Sequence, residues 1–130
     1  MTSMPRPGAV LFVSGLEALA RFYEHLLGWP RVQADEQHIR LASEHLELVL
    51  HAIPPHIAAT IPLTVPPELR AETPIKLMLP VASIAEARRQ ASLLGGHVRP
   101  PAEERADGHC IVCDGHDPEG NVLQLRQLAP

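Results

Sequence analysis

The first half of the chain opens with a short apolar run and continues with apolar residues at helical spacing. Residues 9–13 form a short apolar run of the kind that strands favour. Apolar residues then recur at helical spacing up to Gly28, a residue suited to ending a helix. Ser14 and Glu17 have the spacing of a capping box, so we expect the helix to begin at Ser14. Later apolar runs predict strands at residues 29–32, 38–42 and 45–51.

The second half repeats the same order of elements. Val81 lies 68 residues after Val13, and Gly96 lies 68 residues after Gly28. A strand is predicted at residues 75–81, and a second capping box begins a helix at Ser83. Further strands are predicted at residues 97–99, 109–113 and 122–128. Each half is therefore strand, helix and three strands, which predicts a duplicated unit of the α+β class.

Prolines interrupt the segment between the two halves. Residues 53–74 contain six prolines, and no apolar period persists through them. We expect an ordered linker with one helical turn at residues 67–71. The sequence then divides into a first module at 8–52, a linker at 53–74 and a second module at 75–128, within one domain spanning 1–130.

Composition and charge narrow the classes of function. Apolar residues make up 45% of the chain, which favours a soluble globular protein. The net charge is −4 and no basic stripe is visible, so nucleic acid is not an expected partner. No apolar run approaches the roughly 20 residues that cross a bilayer, so no membrane association is expected. Residues 1–7 lack the apolar core of a signal peptide, and the two cysteines are expected to be reduced, which together predict a cytoplasmic location.

Short motifs in both halves point to one known group of proteins. The most specific is Asp-Pro-Glu-Gly-Asn-Val-Leu-Gln-Leu at residues 117–125. It accompanies Val13-x-x-Leu16, Phe22-Tyr23, Leu27-Gly28, Val81, Glu86-Ala87 and Gly95-Gly96. Together these residues resemble the vicinal oxygen chelate superfamily, which includes glyoxalase I, bleomycin- and fosfomycin-resistance proteins and extradiol dioxygenases.

The resemblance implies an architecture and an assembly. Two βαβββ modules would form a curved, mostly antiparallel sheet that makes a cup, with the helices outside. A cup can close within one chain or by exchange of modules between two chains. The resemblance also implies a homodimer.

The resemblance further implies which positions would hold a metal. In metal-dependent relatives, His, Gln or Glu on the first and last strands of each half bind a divalent ion. Those positions fall here on Gly8, Glu47, Lys76 and Gln124. Glycine has no side-chain donor and a lysine ammonium repels a cation, so we expect neither a family-type metal nor another cofactor.

Strand alternation independently places three of these side chains away from the helices. The leucines of 46–50, 77–79 and 123–125 occupy the opposite face from Glu47, Lys76 and Gln124. Lys76 and Glu47 would then form an ion pair lining a ligand pocket, or Lys76 would bind an anionic ligand, or the pair would be structural with no ligand. We expect Met78 to line the same pocket, and His109 to face it alongside Ile111 and Cys113.

Other clusters give weaker alternatives. Cys110 and Cys113 have zinc-like spacing, but the Ile-Val between them favours a strand with two buried or half-buried thiols. His45 and His51 share the face of Glu47 and suit a non-family metal. Same-face residues on one strand are about 7 Å apart, which strains such a site. In the 117–121 run, the acidic residues are interpreted as turn formers.

Two functions follow from this sequence. The first is a protein that binds a small organic ligand without the family metal, for which Lys76 favours an anion. The alternative is a lyase, isomerase or dioxygenase dependent on a divalent metal held by Glu47, Gln124 and a histidine. Whether the protein is an enzyme is left open.

Overall fold

A computed structural model describes residues 4–130 of the chain and begins with a four-stranded sheet. Its strands lie in the order β1-β4-β3-β2, with β1 and β4 parallel and the other pairs antiparallel. The elements of this module are β1 (Gly8–Val13), α1 (Leu16–Leu27), β2 (Arg31–Ala34), β3 (His38–Ala42) and β4 (Glu47–Ala52). The predicted order of strand, helix and three strands is confirmed.

The segment between the sheets is largely irregular and contains one helical turn, α2 (Pro55–Ala58). The helical turn predicted at residues 67–71 is wrong. Arg70 instead forms an isolated parallel bridge with Asn121, and its backbone N–H donates to the Gly120 carbonyl at 2.8 Å. That pairing holds the segment extended against the closing turn of the second module.

The second module builds a five-stranded sheet. The strand order is β5-β9-β8-β6, and β7 also pairs with β8. A strand that the sequence did not predict, β7 (Arg105–Asp107), follows a short 3-10 helix at Pro101–Glu103, so this module has four strands after its helix instead of the expected three. The elements are β5 (Leu77–Pro80), α3 (Ile84–Leu93), β6 (His97–Val98), β7 (Arg105–Asp107), β8 (Cys110–His116) and β9 (Val122–Leu128).

The core lies between the helices and one face of each sheet. We call this helix-facing side the inner face and the opposite side the outer face. Leu48, Leu50, Leu123 and Leu125 are buried on the inner face, as strand alternation predicted. The outer face of each sheet is open along much of its length.

Helix α1 begins differently from the prediction, because its cap comes from the other module. The helix starts after Gly15, and the expected capping box at Ser14 and Glu17 does not form. The carboxylate of Glu119 accepts the backbone N–H groups of Ser14 at 2.9 Å and Gly15 at 2.7 Å. Glu17 bonds to Arg31 at 2.7 Å instead. A buried carboxylate at a helix N-terminus forms charge-assisted hydrogen bonds and interacts favourably with the helix dipole.

Asp117 makes a second link between the modules. It is fully buried, and its carboxylate accepts the Tyr23 hydroxyl at 2.7 Å and the Asn121 amide at 2.8 Å. It also accepts the backbone N–H groups of Glu119 and Asn121, which closes the turn. Burial raises the pKa of Asp117, and burial followed by the nearby Asp117 charge raises the pKa of Tyr23. The acidic residues expected only to shape a turn therefore also join the two halves.

We predict that Glu119→Ala lowers the free energy of unfolding by about 1–2 kcal/mol, because it leaves the α1 N-terminus uncapped. The measurement is urea denaturation. The matched control is Glu103→Ala, which removes an exposed ion pair with Arg99 and should cost less than about 1 kcal/mol. Equal losses in the two variants would show that the Glu119 cap does not stabilise the protein.

Candidate functional site

Three of the residues predicted for the site come together on the outer face of the five-stranded sheet. Met78 of β5 lies directly opposite Gln124 of β9, which lies opposite Asp114 of β8. Lys76 precedes β5, and its Nζ is 3.4 Å from the Asp114 carboxylate. The structure therefore groups Lys76, Met78 and Gln124 around one carboxylate.

Positive charge exceeds negative charge on this face. Arg105 lies on β7, which pairs with the edge of β8 opposite to β9, and its Nη2 is 3.4 Å from the Asp114 carboxylate. Arg126 of β9 bonds to Asp107 at 2.8 Å. Three cationic side chains thus share two carboxylates. We call the surface made by Lys76, Met78, Arg105, Asp114, Gln124 and Arg126 the β9 face.

Arg126 is one of three members of this face, with Arg105 and Asp114, that the sequence did not single out. One of its terminal nitrogens contacts the Met78 sulfur, and its Nε is buried without a partner among residues 4–130. Strand alternation could have predicted its position, because Arg126 follows Gln124 by two residues and therefore lies on the same face of β9.

His109 lies beside Arg126 in a cavity of about 550 Å³ that also includes Cys110. It precedes β8, within the turn that joins β7 to β8, so the alternation of the strand does not fix its direction. Its expected grouping with Cys113 is wrong. Cys113 is fully buried, and its thiol donates to the Arg99 carbonyl at 3.3 Å. Both cysteines are free thiols, as expected for residues on opposite faces of a strand.

Glu47 lies on the other sheet and has its own partners. Its carboxylate accepts from Arg40 at 2.6 Å and from Arg6 at 3.2 Å. The hydrogen bond from Arg40, followed by that from Arg6, holds the pKa of Glu47 below its ordinary value. The ion pair predicted between Lys76 and Glu47 is therefore not formed within the chain, because each has a nearer partner on its own sheet.

The positions that would hold a family-type metal do not suit one. Gly8 is directly opposite Glu47, and a Cβ atom at Gly8 would overlap the Glu47 carbonyl oxygen. Lys76 contributes a cation, and Gln124 an amide. Among residues 4–130, no three His, Cys, Asp or Glu side chains come close enough together to hold an ion. This donor set does not fit the metal that the fold family implies.

The two sheets also pair their first and last strands differently. In the first, Gly8 is opposite Glu47, whereas in the second it is Met78, not Lys76, that is opposite Gln124. The two presumed ligand positions of the second module are thus offset along the strands. His45, proposed for a non-family site with Glu47, lies outside β4 with an exposed side chain.

The sequence matches the family described as glyoxalase-like domain over residues 9–126, which is most of the chain. The chain belongs to this family. The glyoxalase-like domain, together with the two modules that each pack a helix on an open sheet, places it in the vicinal oxygen chelate superfamily, as its motifs indicated. A comparison with curated proteins gave no match.

Solved structures with the same architecture share little sequence with this glyoxalase-like chain. A glyoxalase/bleomycin resistance protein from Albidiferax ferrireducens T118 is 16% identical, with a TM-score of 0.67 over 94% of this chain and 97% of its own. The bleomycin resistance determinant encoded on transposon Tn5 is 20% identical, with a TM-score of 0.62 over 98% and 100%. The fosfomycin resistance protein FosX from Listeria monocytogenes is 12% identical, with a TM-score of 0.63 over 99% and 95%. At these identities the comparisons establish the fold alone.

We predict that Arg40→Gln raises the pKa of Glu47 toward its ordinary value, because it removes the strongest hydrogen bond to the carboxylate. The measurement is a carboxyl-carbon NMR titration. A depressed folded-state pKa means that the stabilisation is present above the unfolded-state pKa and is lost as the pH falls through the folded-state value. Arg89→Gln, at an exposed pair on α3, is the matched control and should leave Glu47 unchanged. An unaltered Glu47 titration in Arg40→Gln would contradict the assignment.

Proposed function

We propose that this glyoxalase-like protein binds a small anionic organic ligand on the β9 face and does so without the family metal. The observation that supports this proposal is the excess of cations there. Lys76, Arg105 and Arg126 face only two carboxylates, and the Gln124 amide supplies a neutral donor beside them. An anion would meet several charge-assisted donors on one surface.

The donor set argues for a binding role that needs no metal. The position of Gly8 admits no side chain, and Lys76 holds a positive charge where a ligand to a cation would stand. An ammonium and two guanidinium groups suit carboxylate, phosphonate or phosphate oxygens directly. No reaction step is assigned to these residues.

We also propose that two copies of the chain associate through their outer faces. Large apolar side chains are exposed there, with Val10 53% exposed, Phe12 61%, Met78 55% and Leu128 76%. Exposed apolar surface of this kind is typical of interfaces. A second copy over these residues would turn an open sheet face into a closed cup.

A cytoplasmic location stays a prediction.

The homodimer predicts that Phe12→Ser weakens association of the chain by at least several-fold, because it removes a large apolar contact from the outer face. Sedimentation equilibrium over micromolar to millimolar protein measures this. Leu93→Ser, at an exposed leucine on α3, is the matched control and should leave association unchanged. A wild-type chain that is monomeric across the whole range would end the proposal of a dimer.

Lys76 can be observed selectively because it is the single lysine in the sequence. Reductive methylation with a ¹³C label gives its side chain its own NMR signal. We expect that signal to shift on titration with benzoate or methylphosphonate and not with neutral benzamide. A hydrogen bond to a charged group contributes about 1.5–3 kcal/mol when shielded. Lys76 is 44% exposed, so we expect Lys76→Met to weaken anion binding about fivefold.

Arg89→Gln on α3 is the matched control for the loss of one positive charge and should leave anion affinity unchanged. Equal affinity of wild type and Lys76→Met would remove Lys76 from the site.

Metal analysis of protein purified without chelator or affinity tag tests the alternative function, which is that of a metal-dependent enzyme. A stoichiometric divalent ion that is lost in Glu47→Ala would replace this proposal with a metal-dependent lyase, isomerase or dioxygenase.

A further inference from the structure

Two histidines face each other across neighbouring strands at the edge of the second sheet. His97 of β6 is directly opposite His116 of β8, and β6 is the last strand in the sheet order. The ring centroids are 5.8 Å apart, with 38° between the ring planes. His116 follows Asp114 by two residues, so strand alternation puts the pair on the outer face. His97 is exposed and His116 is half-buried, so a solute can reach the pair.

A hydrogen bond fixes the orientation of the His116 ring. Its Nδ1 lies 3.0 Å from the Asp117 backbone carbonyl. A carbonyl oxygen only accepts, so Nδ1 carries the hydrogen and Nε2 keeps the lone pair that can bind a metal. Histidines that bind metals almost always donate their other ring N–H in this way, because the bond orients the ring and makes the free nitrogen more basic.

The separation of the two rings suits a shared ion. Zinc binds imidazole nitrogen at about 2.0–2.1 Å, so two imidazoles on one tetrahedral ion have ring centroids roughly 5–6 Å apart. The 5.8 Å between His97 and His116 lies in that range. Side chains directly opposite each other on antiparallel strands are also close enough to meet at one point.

The first module contains a histidine pair with the same strand relation but a different ring geometry. His38 and His51 are directly opposite on β3 and β4, and His51 Nδ1 likewise lies 2.9 Å from a backbone carbonyl, that of Ala52. Their centroids are only 4.3 Å apart, however, and the rings meet edge to face at 76°. A shared ion would have to separate these rings, so we expect this pair not to bind one.

The charged groups next to the pair have partners of their own. Arg99 follows His97 by two residues, and its guanidinium is 2.6 Å from the Glu103 carboxylate. That carboxylate offsets the repulsion that Arg99 would exert on a metal ion. Asp114 precedes His116 by two residues and is held between two cations of the β9 face. The ion would therefore depend on the two imidazoles.

We propose that His97 and His116 bind a divalent ion of the zinc, copper or nickel type, with water in the remaining positions. Imidazole suits these ions, whereas Mg²⁺ and Ca²⁺ prefer oxygen. Two protein ligands make a weaker and more open site than the four of a structural zinc. The site uses none of the family's metal positions and no residue of the β9 face, so it does not depend on the function proposed above.

The test is a titration of the whole chain with zinc chloride in buffer without chelator, followed through the imidazole signals in ¹H–¹³C NMR spectra. The signals of His97 and His116 should shift together and saturate at one ion per chain. Those of His38 and His51 should not shift, and magnesium chloride at the same concentrations should shift none. A ¹⁵N spectrum without zinc should show His116 in the tautomer with hydrogen on Nδ1.

Variants connect the zinc signal to the two rings. His97→Gln and His116→Gln should each weaken zinc binding at least tenfold, since even the loss of a ligand's outer partner costs about 10–100-fold. His38→Gln is the matched control, because it removes a histidine of the other pair and should leave zinc affinity unchanged. Glu47→Ala should also retain zinc, which separates this site from the family position.

The proposal fails if zinc shifts all the histidine signals alike and without saturation, which is non-specific association. It also fails if His97→Gln binds zinc as tightly as wild type, or if His38→Gln weakens binding as much as His97→Gln does. Zinc that is lost in Glu47→Ala but kept in His97→Gln would overturn this site and support the metal-dependent enzyme instead.

Discussion

The contact between the Glu119 carboxylate and the first turn of α1 is the constraint on which the relation of the two modules depends. It joins the closing turn of the second module to the helix of the first. The neighbouring Asp117 carboxylate holds the Tyr23 hydroxyl of the same helix. Both carboxylates are buried, and the hydrogen bonds they accept offset the cost of removing them from water. The outer faces of both sheets lie on a framework that this turn helps to hold together.

The sequence predicted most elements of the fold because the signals are local. An alternation of two residues is enough to put Leu48 and Leu50 inside and Glu47 outside. The cap of α1 could not be predicted in the same way. Ser14 and Glu119 are 105 residues apart, and the local Ser14–Glu17 spacing offered a closer but incorrect partner. The additional strand β7 was likewise not predicted, because it is short and follows a 3-10 helix that alternation does not signal.

For the candidate site, too, the sequence predicted the face on which a side chain lies but not the residue with which it pairs. Alternation placed Gln124 and Met78 on the outer face and would have placed Arg126 there too. It could not say that Lys76 reaches Asp114 or that Glu47 reaches Arg40, because such pairs depend on the register of neighbouring strands. The register differs between the two halves by two residues, so the repeat in sequence does not extend to equivalent pairing.

Gly8 has a consequence for how this chain could change over evolutionary time. Its α-carbon is so close to the neighbouring strand that the main chain itself, rather than the choice of residue, closes the position. A codon change to histidine or glutamate would meet a steric barrier before it could offer a donor atom. Chelating chemistry would thus become accessible only after an earlier mutation elsewhere had moved β1, which makes the order of substitutions decisive.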